Sequence, residues 1–162
     1  MTTAALRRAL DFGLGGCCAF LLAGLVGLTV ADVMGRYVFS APLAGAFELT
    51  ELMLGALVFA ALPLTTLAGE HVEVDMGFVV SPAPVKTLML WLSGLVSTAA
   101  LWAIAWRLAL HGARLAEGGA TTNALSVPLA PFGWFTAAMA ALSGVLALVR
   151  LSAEAGDPPL SD

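Results

Sequence analysis

Four apolar stretches, each long enough to cross a membrane, divide this chain of 162 residues. The hydrocarbon core of a bilayer is roughly 30 Å thick, so a spanning helix needs about 20 mainly apolar residues. The sequence predicts spans over about residues 12–33, 46–67, 85–115 and 132–151. Because 60% of the residues are hydrophobic and 11% are charged, lipid is the predicted solvent for most of the chain. We therefore expect an all-α integral membrane protein with four transmembrane helices.

Short polar or proline-containing segments separate the predicted spans. Pro42 interrupts the helix after the first span and leaves a short interfacial segment over residues 38–47. Residues 69–75 are the most polar stretch, and their alternation is too brief for a strand domain, so a loop is predicted. Pro63 is expected to kink the far end of the second span. Residues 1–151 are thus predicted to form one transmembrane domain, followed by a polar cytoplasmic tail over residues 152–162.

The basic residues predict the orientation of the chain. Arg7 and Arg8 precede the first apolar stretch as in a signal peptide, but that stretch is longer than a typical signal sequence, so an uncleaved span is predicted. An even number of spans places both termini on one side of the membrane. With cytoplasmic termini, the basic residues on the cytoplasmic side are Arg7, Arg8, Lys86 and Arg150, and those on the other side are Arg36, Arg107 and Arg114. The pair before the first span favours this orientation.

Several classes of function are disfavoured by what the sequence contains. The net charge of −4, without a basic stripe, argues against a nucleic-acid partner. Cys17 and Cys18 are adjacent inside an apolar run, so they form neither a disulfide framework nor a spaced metal-binding pair. No nucleophile with a base, glycine-rich phosphate loop or H-E-x-x-H zinc helix appears. We therefore expect no enzymatic activity and no metal site.

An acidic and a basic residue lie four positions apart at the end of the first span. Asp32 and Arg36 share one helix face in the favourable acid-before-base order. They are interpreted either as a mutually neutralising interfacial pair or as a polar clamp on a partner subunit or another helix.

Glu48 and Glu51 share a face in the first turns of the second span. A helix start favours negative charge, and subunit docking is a further role. A cation or proton site would need burial and more oxygen ligands than the neighbouring sequence offers. His71 and Asp75 lie in the loop after this span. A haem or metal site there is disfavoured, because His111 is the only other histidine and haem ligands in a bundle lie at membrane depth.

Small residues recur at every fourth position of the first span. This stripe comprises Gly15, Ala19, Ala23, Gly27, Ala31 and Gly35. Such spacing lets helix backbones approach closely in lipid. The stripe drifts by about 40° per step, so only part of it can face one neighbour. Either a helix interface or the general abundance of Ala and Gly explains the stripe.

The order of these features resembles a known family. The resemblance rests on three elements, which are Asp32-Val33-Met34-Gly35-Arg36-Tyr37-Val38-Phe39, then Pro42, Gly45 and Glu48-Leu49-Thr50-Glu51, and then Gly69-Glu70-His71-Val72-Glu73-Val74-Asp75. Together they look like the small membrane subunit (DctQ-type) of a tripartite ATP-independent periplasmic, or TRAP, transporter. Thr121-Thr122 and Val127-Pro128 also resemble the third loop of this family.

The resemblance implies a subunit of a sodium-coupled importer in the bacterial inner membrane. A periplasmic solute-binding protein would deliver an organic acid, and a large membrane subunit would hold the solute and sodium sites. This chain would then carry no cofactor, and its four helices would form a scaffold that stabilises the large subunit in the lipid bilayer. The candidate subunit-interface or structural polar residues are Asp32, Arg36, Tyr37, Glu48, Glu51, His71 and Asp75.

Two alternatives remain at the level of the sequence. The first is an independent homodimeric transporter of the small multidrug type, with Glu48 and Glu51 as coupling carboxylates. Such transporters place an essential carboxylate deep in a span, whereas both glutamates here are near a helix start. The second is the membrane anchor of a respiratory enzyme, which requires haem or quinone ligands.

Overall fold

Four long helices make up most of the protein. A computed structural model describes residues 2–68 and 83–154. The helices are α1 (Thr2–Val38), α2 (Ala46–Ala68), α3 (Ala83–Glu117) and α4 (Ala130–Glu154). Each contains a segment long and apolar enough to cross a membrane. Within the described ranges, the only strand-like pairing is an isolated bridge between Thr121 and Pro128. The prediction of an all-α membrane protein with four spans is confirmed.

The first helix is longer than the predicted first span, and the loop that follows it is short. The α1 helix continues through Val38, and Asp32 accepts a hydrogen bond from Arg36 across its last turn at 2.8 Å. The carbonyl oxygen of Gly35 then accepts hydrogen bonds from two backbone N–H groups of the loop, those of Phe39 at 3.2 Å and Ala41 at 2.9 Å. Residues 39–45 form the connection to α2 and lie within the predicted interfacial segment over residues 38–47.

The third helix ends at a glycine whose backbone conformation few other residues adopt. Gly119 has a φ of 58°, in the left-handed region. The Ala120 N–H donates to the Leu115 carbonyl at 3.1 Å, and the Gly119 N–H donates to the Ala116 carbonyl at 3.3 Å. This is the hydrogen-bond pattern of a Schellman motif, which satisfies the last carbonyls of a helix. It places the start of the next connection directly after Glu117.

Two prolines lie within helices. Pro131 is the second residue of α4, where its missing N–H would have had no helical partner. Pro63 is buried inside α2, and the helix continues past it to Ala68. The kink expected at Pro63 stays a prediction.

The helices pack in the spatial order α1, α2, α4, α3. Only the pairs α1–α2, α2–α4 and α3–α4 have extensive contacts among the described residues. The α3–α4 pair is antiparallel, since Gly94 lies beside Leu151 at one end of the bundle and Gly112 lies beside Gly133 at the other. At that second contact, backbone packs on backbone with no side chain between, as small residues allow in lipid. The end of the bundle that contains Gly112 and Gly133 also contains the end of α1 and the start of α2, since Glu48 of α2 contacts the loop between α3 and α4.

The small-residue stripe of α1 mostly faces away from α2. Gly24, which is not part of the stripe, packs against Met53 of α2, and Leu25 is the only buried residue among the described side chains of α1. The stripe residues that are exposed are Ala19, Ala23, Gly27 and Ala31. A side chain added at Gly27 would meet no atom within 4 Å. The stripe is therefore not the α1–α2 interface within this chain.

Candidate functional site

The polar residues predicted from the sequence gather at one end of the bundle. Asp32, Arg36 and Tyr37 lie in the last turns of α1, and Glu48 and Glu51 lie in the first turns of α2. The two remaining candidates, His71 and Asp75, lie outside the described residues.

Asp32 joins α1 to the loop that follows it. Its Oδ2 atom accepts a hydrogen bond from Arg36 Nη2 at 2.8 Å, and its Oδ1 atom accepts one from the Leu43 N–H at 3.1 Å. The Asp32 side chain is 18% exposed, whereas the Arg36 side chain is 59% exposed. The pair is thus neutralised within the chain, and its second partner is the connecting loop. Tyr37, next to Arg36, is 81% exposed.

Replacing Asp32 by Ala is expected to loosen the loop over residues 39–45. An exposed ion pair contributes little, and a single hydrogen bond contributes about 1 kcal/mol, so the Leu43 amide should exchange its hydrogen about fivefold faster. Hydrogen–deuterium exchange of the purified protein measures this. Arg36→Gln is the control, since it removes the ion pair and keeps the bond to Leu43. If Arg36→Gln accelerates exchange equally, the ion pair and not the Leu43 bond orders the loop.

Glu48 binds a loop that is distant in sequence. Its Oε1 atom accepts a hydrogen bond from the Ala124 N–H at 2.7 Å, and its Oε2 atom accepts one from the Leu125 N–H at 3.1 Å. Both carboxylate oxygens therefore serve as acceptors for consecutive backbone N–H groups, which are charge-assisted hydrogen bonds. The helix-start position of Glu48 was predicted from the sequence, whereas its partner in this loop was not.

The loop over residues 118–129 has its own hydrogen-bonded structure. The Leu129 N–H donates to the Ala120 carbonyl at 3.0 Å, and the Thr122 N–H donates to the Val127 carbonyl at 3.0 Å. The Thr122 hydroxyl oxygen accepts a further bond from the Val127 N–H at 3.1 Å. Ser126 takes a φ of 53°, which closes the turn. The segment between the third and fourth predicted spans is therefore an ordered hairpin-like loop.

The two loops at this end contact each other through Gly45. The φ of Gly45 is 77°, and a side chain at this position would overlap the side chain of Leu125. We call the two loops, residues 39–45 and 118–129, together with Asp32 and Glu48, the end cap. Asp32 binds the first loop and Glu48 binds the second. Gly45 allows the two loops to contact each other. The end cap is thus built by contacts between segments far apart in the sequence.

A groove of about 500 Å³ lies beneath the end cap, between α2, α3 and α4. Its rim is polar and contains Glu48, Glu51, His111, Thr121, Thr122 and Asn123. Its walls are apolar and include Leu52, Phe59, Leu108, Leu129 and Phe132. We call this cavity the acidic groove. His111 was missed as a site residue, because nothing in the local sequence places it beside the start of α2.

The described residues contain no group of three or more His, Cys, Asp and Glu side chains that could hold a metal ion. Glu51 and His111 line the acidic groove, and neither side chain has a hydrogen bond or ion pair with a described residue. The groove thus offers two polar groups that have no partner in the described part of the chain, above an apolar wall. Such a lining suits a ligand with a charged and an apolar part.

A comparison with protein families identifies the chain. Residues 25–155 match the model of the family described as tripartite ATP-independent periplasmic transporters, DctQ component. The match runs from the middle of α1 to the end of α4 and includes both loops of the end cap. A comparison with curated proteins finds no match. The chain therefore belongs to the DctQ component family of the tripartite ATP-independent periplasmic (TRAP) transporters.

Proposed function

We propose that this chain is the scaffold subunit of a sodium-coupled TRAP importer, where it stabilises the large membrane subunit. The family match over residues 25–155 carries this proposal, because DctQ components are transporter subunits and not enzymes. A periplasmic binding protein would deliver an organic acid to the large subunit. The solute and sodium sites would lie on that partner, so this chain needs no cofactor of its own.

The open face of α1 supports a role in binding another membrane helix. Ala19, Ala23, Gly27 and Ala31 leave the backbone accessible on the side away from α2. In lipid, helices associate through close packing of small residues, since there is little hydrophobic driving force between them. We propose that a helix of the large subunit packs against this face.

The end cap favours the scaffold over an independent exporter. A coupling carboxylate must be free to exchange its cation, whereas both oxygens of Glu48 already accept backbone hydrogen bonds. Glu51 is near the start of α2 and not at mid-span, where small exporters keep their essential carboxylate. The respiratory anchor loses its support because the family match is to a transporter component.

The orientation proposed from the basic residues gives the end cap a specific position. With both termini in the cytoplasm of a bacterial cell, the end cap lies on the periplasmic side of the inner membrane. Two loops held by Asp32 and Glu48 would then present a fixed surface on the side where the binding protein delivers its solute.

Reconstitution into vesicles tests the proposed function. The large subunit and the binding protein are incorporated with and without this chain, and uptake is driven by a sodium gradient. The solute is the organic acid that most raises the melting temperature of the binding protein. We expect uptake with all three proteins, and uptake at the level of empty vesicles without this chain. Transport by this chain alone, or full transport without it, would contradict the proposal.

A pair of variants tests the open face of α1 in the same system. Ala23→Leu combined with Gly27→Leu adds volume to the small-residue stripe and should reduce copurification with the large subunit. Ala99→Leu combined with Ala103→Leu adds side chains at exposed positions of α3 and should not. Equal loss in both variants would show that added volume, and not this face, disturbs the complex.

A further inference from the structure

We propose that the acidic groove binds a phospholipid whose headgroup carries a primary ammonium. Glu51 would accept hydrogen bonds from the ammonium, the rim would contact the phosphate, and one acyl chain would lie along the apolar wall. The inference requires only that the chain spans a membrane, so its failure would leave the proposed transporter role untouched.

The size and lining of the groove fit a small amphipathic ligand. Its volume of about 500 Å³ falls within the range of roughly 300–1,000 Å³ typical of ligand sites. The polar groups are confined to the rim, where the loop over residues 118–129 meets α2. Leu52, Phe59 and Leu108 provide the apolar wall. A molecule with a polar head and an apolar tail would match both parts at once.

The polar rim lies at the depth of lipid headgroups. Glu51 is five residues after the start of α2, which is about 8 Å along the helix axis. His111 is six residues before the end of α3, about 9 Å along that helix. The headgroup region extends for about 5–8 Å on each side of the hydrocarbon core. Placing the start of α2 and the end of α3 at the outer surface of the headgroup region puts both side chains near the boundary between headgroups and acyl chains.

The charge of the groove determines which headgroup fits. The carboxylate of Glu51 has no partner among the described residues, and an unpaired charge at the edge of the hydrocarbon is unfavourable. A primary ammonium supplies both a positive charge and three N–H donors. A trimethylated ammonium has no N–H donor, and a glycerol headgroup has no positive charge. Glu51 therefore selects a primary ammonium over either alternative.

The rest of the rim complements the phosphate. His111 can donate from an imidazole N–H. Thr122 is not one of these donors, because its oxygen accepts a bond from the Val127 N–H and its hydroxyl already hydrogen-bonds to the Glu48 carboxylate. Asn123 adds a side-chain amide at the rim. Donors for the phosphate thus lie beside an acceptor for the ammonium, which is the arrangement a zwitterionic headgroup requires.

A basic side chain from another protein is the main competitor for Glu51. It would satisfy the carboxylate, but one lysine or arginine stem would leave much of the apolar wall between Leu52 and Leu108 uncovered. An acyl chain attached to the headgroup covers that wall as well. A bound lipid would therefore cover more of the apolar wall than a basic side chain would.

Native mass spectrometry of the full chain tests the proposal. The protein is titrated in detergent with phosphatidylethanolamine, phosphatidylcholine and phosphatidylglycerol that carry the same acyl chains. We expect phosphatidylethanolamine to bind at least about tenfold more tightly than the other two, the ratio expected from a charge-assisted hydrogen bond. Glu51→Gln should abolish this preference. Glu117→Gln, an exposed change at the end of α3 and outside the groove lining, should preserve it.

A second variant, His111→Ala, tests the same groove if Glu51→Gln affects folding. His111→Ala should weaken all three lipids by a similar factor, because the phosphate is common to them. Equal binding of the three lipids by the unchanged protein would overturn the proposal. So would retention of the preference in a folded Glu51→Gln variant. Carbodiimide crosslinking of Glu51 to a lysine of the large subunit, in the purified complex, would assign the groove to a protein partner instead.

Discussion

Gly133→Leu is expected to destabilise the helix bundle more than any other single change considered for this protein. A Cβ atom at Gly133 would lie 2.8 Å from the Cα atom of Gly112 and 3.4 Å from its nitrogen. These are backbone atoms, so no side-chain rotation can make room. The two helices would have to separate at this end, and the neighbouring wall of the acidic groove would move with them.

The expected loss of stability is about 3 kcal/mol, the upper end of the range for overpacked sites. Gly133→Ala should lose less, because one methyl group requires a smaller separation of α3 and α4. Thermal unfolding of the purified protein in one detergent, at one protein concentration, ranks the variants.

Gly27→Leu is the matched control for this packing. It makes the same replacement in a helix, but a Cβ atom at Gly27 meets no atom within 4 Å. We expect its stability to remain within about 0.5 kcal/mol of the unchanged protein. If Gly27→Leu destabilises the isolated chain as much as Gly133→Leu, the cost arises from leucine in place of glycine and not from the α3–α4 contact.

The number and type of helices could be predicted because the signal is long and local. Each span is an uninterrupted apolar stretch, and a bilayer leaves few alternatives to a helix for such a stretch. The ends were less predictable. The α1 helix extends to Val38, and in its last turns Asp32 pairs with Arg36 and the Gly35 carbonyl accepts two loop N–H groups. The predicted span ended at residue 33 because that prediction used the apolar character of the residues. Apolar character gives no information about either interaction.

The candidate site was predicted only in part, since its contacts are distant in sequence. The spacing of Asp32 and Arg36 indicated their contact directly, as both lie on one helix face. Glu48 binds the N–H of Ala124, which is 76 residues away. Every residue except proline has a backbone N–H, so the residue types do not indicate which one Glu48 binds. That His111 and Glu51 line the same groove depends on how α2 and α3 lie around it. His71 and Asp75 remain predictions.

Glu48→Gln is expected to release the loop over residues 118–129 from α2. The carboxylate offers two acceptor oxygens to the Ala124 and Leu125 N–H groups. Glutamine offers one acceptor oxygen, and its NH₂ group would face the second N–H as another donor. The replacement therefore removes the charge from one bond and replaces the other by an unfavourable contact.

Amide hydrogen exchange reports this release directly. We expect the peptide over residues 118–129 to exchange at least about tenfold faster in Glu48→Gln, since charge-assisted hydrogen bonds are among the stronger ones in proteins. Glu48→Asp should have a similar effect, because it keeps the charge but is one methylene group too short to reach both N–H groups. Exchange within α4 should change little, because Gly133 and Gly112 still hold α4 against α3.

Glu51→Gln separates the loop contact from a general effect of removing a carboxylate. It makes the same chemical change three residues further along α2, where the side chain binds no described residue. In lipid-free detergent, exchange of the loop should therefore remain as in the unchanged protein. If Glu51→Gln accelerates it as much as Glu48→Gln does, then charge at the start of α2 orders the loop. If neither variant changes it, the internal bonds of Thr122 and Ala120 suffice to order the loop without α2.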